Sequence, residues 1–119
     1  MARLDPISSE QFDTIRRAHL ELLRINLQEL RKYARAGDAA KVAALKRARA
    51  DLSKAAGTIL QAQRAYQATH LSPSAAEQRV RAHAAQAEDL VRRIGSLTDV
   101  LESVAKFASV LTRLVGALS

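Results

Sequence analysis

The chain has 119 residues, 48% of them hydrophobic, which is enough for one domain with one core and too little for two. It has no cysteine, which excludes disulfides, thiolate metal sites and a cysteine nucleophile. The formal charge of +7 is concentrated in one stretch, so its placement says more than its size.

Much of the apolar content is alanine, and the aromatics are Phe12, Tyr33, Tyr66 and Phe107. Small side chains let helices approach closely but bury little area each, so the core must be long because it cannot be thick. Residues 1–10 contain no apolar run of the kind a secretory signal needs. No window approaches about 18 uninterrupted apolar residues either, so a spanning helix is not expected. A cytoplasmic protein is the default expectation, with export by a route that needs no cleavable signal as the alternative.

The first predicted helix covers residues 8–36. Ser8 and Gln11 are spaced as a reciprocal cap, Ile7 and Phe12 as a hydrophobic staple, and Pro6 is placed just outside. Phe12, Ile15, Leu22 or Leu23, Leu27, Leu30 and Ala34 then recur at helical spacing, and the apolar arc around Leu20 to Leu27 is wide enough for two neighbours. Gly37-Asp38 supplies a left-handed terminator followed by a cap. The second helix, 39–70, carries Val42, Leu45, Leu52, Ala56, Ile59 and Tyr66. So short a turn implies an antiparallel hairpin.

The tip of that hairpin is basic. Arg31, Lys32, Arg35, Lys41, Lys46, Arg47, Arg49 and Lys54 stand against Asp38 and Asp51 alone, a local balance of +6. The layout of helix, Ala36-Gly37-Asp38 turn and helix resembles the hairpins of bacterial secretion and flagellar export chaperones. Many other helical hairpins share that turn, and no family is assigned on it.

Ser72-Pro73 marks the start of a third helix, with Ser72 as cap and Pro73 in the first helical position. From Val80 through Ala87, Leu90, Ile94, Leu97, Leu101, Val104, Ala108, Leu111, Val115 and Leu118 the apolar residues keep a spacing of three and four, broken only at His83. Glu77 before Arg81, Glu88 before Arg92, Asp89 before Arg93 and Glu102 before Lys106 mark the solvated side. Because Ile94 and Leu97 keep the heptad phase across Gly95, one continuous helix over 73–118 is expected. A bend or split near Gly95, giving a fourth helix, is the alternative. A continuous helix would run about 69 Å against about 42 and 48 Å for the first two. Its overhanging apolar stripe would then need a second copy or a partner helix to cover it.

The predicted architecture is therefore all-α, an antiparallel helical bundle of three long helices in a single domain over 1–119. The predicted function is a non-catalytic protein–protein interaction module, an adaptor, chaperone or assembly subunit. It would self-associate and take partner helices through Leu97, Leu101, Val104, Phe107, Ala108, Leu111 and Val115, while Arg31, Lys32, Arg35, Lys41, Lys46, Arg47 and Arg49 meet an anionic partner. One alternative is a nucleic-acid-binding protein using the basic 31–54 tip. Another, less favoured, is a membrane-interacting or pore-forming protein using 97–118. Enzyme chemistry ranks last: the serines fall in caps or on helix edges, the four glycines are scattered, and the Glu-x-x-His spacing of a bundle di-metal site is missing. No cofactor is expected. His19 and His83 read as imidazoles at the core edge, and Asn26, one heptad after His19, as a polar group that fixes register.

Overall fold

A computed structural model describes the backbone from Pro6 to Ser119 and the side chains from Glu10 onward. The described residues form four helices, α1 (Pro6–Arg35), α2 (Ala39–Ala68), α3 (Pro73–Arg92) and α4 (Leu97–Leu118). The all-α class stands, whereas the third long helix is two helices. The favoured continuous helix over 73–118 is thus corrected to a split at residues 93–96.

The cause of the split is local. Ser96 takes the N-cap position of α4, its Oγ accepting from the Asp99 backbone N–H at 3.2 Å. Asp99 reaches back in turn, its Oδ2 accepting from the Gly95 N–H at 3.0 Å. Ser96 and Asp99 thus share the satisfaction of donors that a helix start leaves orphaned. Ile94 and Leu97 keep the heptad phase because both still pack half-buried, Ile94 directly on the core, and the phase does not reveal which way the chain turns between them.

The other two connections follow the residues that announced them. At Gly37 (φ +73°) the Gly37 N–H donates to the Ala34 carbonyl and the Asp38 N–H to the Tyr33 carbonyl, the paired bonds of a Schellman terminator. Ser72 caps α3 through the Ala75 N–H, with Pro73 first in the helix. At the chain's start α1 begins at Pro6, two residues before the expected Ser8 cap. The proposed roles of the Ile7 and Ser8 side chains lie outside the described residues.

Direction and neighbours follow from cross-helix bonds. His19 Nε2–H donates to the Leu52 carbonyl at 2.6 Å, and the Asn26 amide donates to the Leu45 carbonyl at 3.0 Å. These are two bonds one heptad apart on both helices, so α1 and α2 are antiparallel in fixed register. The Ser103 hydroxyl donates to the Leu90 carbonyl at 3.3 Å and fixes α4 antiparallel to α3. Helix α1 packs on α2 and α3, α4 packs on α2 and α3, and α1 meets α4 more lightly across the diagonal. His19 stacks on Phe107 there, with ring centroids 5.9 Å apart.

The core is made of Phe12, Ile15 and Leu22 of α1, Leu52, Ile59 and Tyr66 of α2, and Phe107, Leu111, Leu114 and Leu118 of α4, against buried alanines and Val80 of α3 with the half-buried Leu90 and Val91 at its end. Small residues on α3 let it lie close to both neighbours. Phe12 meets Tyr66 edge to face at 6.1 Å and closes the end of the bundle where the α1–α2 hairpin opens.

Candidate interaction surface

Helix lengths decide what is left uncovered. Thirty residues of α1 and of α2 run about 45 Å each, while α3 and α4 with 20 and 22 residues run about 30 and 33 Å. The four-helix body therefore ends before the α1–α2 hairpin does. From Leu27 to Ala44 no residue is buried, and burial resumes at Leu45 and on the other side of the turn stops at Asn26. The molecule extends 52 × 21 × 17 Å, and one end of its long axis is this two-helix projection.

The projection is rigidly closed. Besides the paired carbonyl bonds at Gly37, Asp38 caps α2 by accepting from the Lys41 N–H at 3.2 Å, and its Oδ2 lies 3.2 Å from the Lys41 ammonium. The Lys41 backbone N–H, aided by the ammonium, holds the Asp38 carboxyl below its usual range. Lys32 and Lys41 both lie over the Tyr33 ring, at 5.3 and 4.9 Å from its centroid.

Ion pairing is denser on the body than on the hairpin. Among the described residues five of the six ion pairs bind cations of the body to carboxylates one turn away, Arg16 to Asp13, Arg24 to Glu21, Arg81 to Glu77, Arg92 to Glu88 and Arg93 to Asp89, while Arg17, Arg64, Arg79, Lys106 and Arg113 have none. Of the four pairs expected along 73–118, the three on α3 and its end form, and Glu102 with Lys106 does not. On the hairpin only Lys41 is paired. Arg31 and Arg35 on the projection, and Lys46, Arg47 and Lys54 on the part of α2 that runs beside the body, are exposed with no carboxylate partner among the described residues. Arg49 differs: it is half-buried near the root of the hairpin, with Nη1 enclosed and lacking a hydrogen-bond partner, as is Oδ1 of the fully buried Asn26.

The C-terminal surface is placed differently from expectation. Val104, Phe107 and Leu111 are buried within the single chain at 2%, 0% and 0% exposure. Leu97, Leu101, Ala108 and Val115 are half-buried, Leu101 and Val115 packed directly on the core. The overhang on which the need for an outside body rested is corrected: the turn at 93–96 folds α4 back so that α2 and α3 cover Val104, Phe107 and Leu111 and part of the rest. The same burial removes the free apolar face on which the membrane alternative rested, and no helix among the described residues is long and apolar enough to cross a membrane.

No protein-family model, curated protein or solved structure matches the chain. The surface must therefore be read from its own chemistry.

Two of the three histidines serve the scaffold. His19 holds the register of α1 and α2, and His83 Nδ1–H donates to the Arg79 carbonyl one turn back at 2.7 Å. Among the described residues no three of His, Cys, Asp and Glu are grouped to hold a metal ion. Leu20 and Leu60, at 63% and 47% exposure, flank a shallow cavity of about 340 Å³ between α1 and α2, with Ala56 and Ile59. Sequence reasoning missed it because Leu20 reads as one more member of a wide apolar arc. The signal for the 93–96 turn was present in Ser96-x-x-Asp99, a cap spacing that the unbroken heptad outweighed.

Proposed function

We propose that this chain is a non-catalytic helical interaction module whose binding surface is the projecting basic hairpin, and that it engages a polyanionic partner. One observation carries the reading. The stretch 31–54 holds a balance of +6 within a total of +7, and of its eight cations only Lys41 has a carboxylate partner, against five of the ten described cations outside it. Charges arranged for their own fold are neutralised locally, as Arg16, Arg24, Arg81, Arg92 and Arg93 are. A cluster of unpaired charges raises the local potential and speeds encounter with an opposite charge.

The rest of the molecule supports this division of labour. Of the described serine hydroxyls from Ser53 onward, all but that of Ser109 are engaged in caps, with each other or on backbone carbonyls. Phe107, Leu111, Leu114 and Leu118 of α4 are packed inside one chain. The body acts as a support that fixes the direction of the hairpin, with His19 and Asn26 holding its two helices in register.

A nuclear magnetic resonance titration with heparin at low salt tests the proposal. Amide shifts are expected at residues 31–54 and not on α3 or α4. Shifts distributed over α3 and α4, or no shifts at all, would refute it.

A further inference from the structure

We infer that the polyanion is double-stranded nucleic acid, gripped through its phosphates with no reading of the bases. The inference rests on the hairpin being the binding surface, and it follows from what that surface lacks as well as from what it carries.

An anionic membrane is a poor fit. Interfacial helices bury an apolar face beneath their cations. Between the cations of this hairpin the exposed positions are small, Ala34, Ala39, Ala40 and Ala43, and the large exposed hydrophobics, Leu20 and Leu60, stand on the body. An acidic protein fits poorly for a related reason. Protein interfaces draw their energy from a few aromatic or aliphatic anchors in a dry centre, with charge at the rim. The hairpin has the rim without the centre. A single strand would need open aromatic faces for stacking, and the one aromatic at the tip, Tyr33, already has the ammoniums of Lys32 and Lys41 over its ring.

What remains is a surface of cations set among small side chains. A duplex carries about one negative charge per 1.7 Å of axis and is bound largely by counterion release, which requires no apolar contact. Phosphate contacts of this kind position a protein without carrying sequence information. Arg31, Arg35, Lys46, Arg47 and Lys54 are spread over both helices and can meet several phosphates at once. Five such contacts give a log–log salt slope of about −4.5, so affinity should fall about 500-fold when salt rises about fourfold.

Fluorescence anisotropy on the full chain tests this, with labelled duplexes of two unrelated sequences, the corresponding single strand, polyglutamate, and phosphatidylserine vesicles scored by flotation. The expected result is duplex binding that is nearly equal for the two sequences, weaker binding to the other probes and the steep salt slope. The triple variant Arg31→Gln, Lys46→Gln, Arg47→Gln should lower the magnitude of the slope by about 3. The control Arg64→Gln, Arg79→Gln, Lys106→Gln removes the same charge from the body and should leave the slope nearly unchanged. Circular dichroism establishes that both variants fold. Equal losses in the two variants would overturn the inference, because net charge alone would then explain the binding. Binding of polyglutamate or vesicles in preference to duplex would overturn it while leaving the hairpin as the binding surface. Binding of no probe, even at low salt, would overturn both readings.

Discussion

Phe107 shows at the level of one residue how the account differs from a reading in which α4 faces outward. Its ring has no exposed surface and stacks on His19, which in turn donates to a carbonyl of α2. Three helices therefore meet at this side chain. Phe107→Ala should destabilise the protein by about 3–5 kcal/mol, since a cavity is left as well as transfer energy lost. Urea unfolding measures this, and the midpoint should be independent of protein concentration. A residue serving a subunit interface would instead show a concentration-dependent midpoint with little change in the stability of the separate chain. Leu97, half-buried at the start of α4, should cost less when truncated in the same way. Asn26 is the other informative residue: it is wholly buried, donates to Leu45 and keeps one oxygen unpaired. Such a group favours one register over the alternatives at some expense of stability.

Among the elements, the turns show what was legible and what was not. Gly37-Asp38 and Ser72-Pro73 could be read directly, because each joins a residue that stops a helix or starts one to a change in apolar phase. The turn at 93–96 had only half of that. Ser96 and Asp99 signalled a cap, but Ile94 and Leu97 carried the apolar period through it, since both flanking helices face the same core. Periodicity records which side of a helix is buried and says nothing about whether the next turn of chain continues or reverses. Ser96→Ala removes the side chain that fixes the first turn of α4 and should cost about 1 kcal/mol. Thermal unfolding gives the loss, and hydrogen exchange should show it first in the amides of Asp99 and Val100, whose donors bond Ser96. The cations of the hairpin were equally legible. That Arg31 and Arg35 stand past the end of the body was not, because it depends on α3 and α4 being shorter than α1 and α2, and that follows only once the third helix is known to be two.

The whole molecule is a support with an arm. Four helices bury one another's apolar faces over about two thirds of the length, and two of them continue past the body carrying unpaired positive charge. This arrangement depends on one reversal of the chain. If α4 folds back on α3, Val104, Phe107 and Leu111 are dry within a single chain and the hairpin is the most strongly charged surface left for binding. If it does not, the stripe is exposed and the earlier case for a second copy returns. Because the protein has no cysteine of its own, spin labels can be placed at Ala82→Cys and Thr112→Cys, exposed positions on α3 and α4, in chains diluted with unlabelled protein. Pulsed dipolar spectroscopy should give a separation below about 25 Å, from neighbouring helix axes about 8–10 Å apart plus the label arms. A separation near 45 Å, the length of about 30 residues of unbroken helix, would contradict the fold-back and everything built on it.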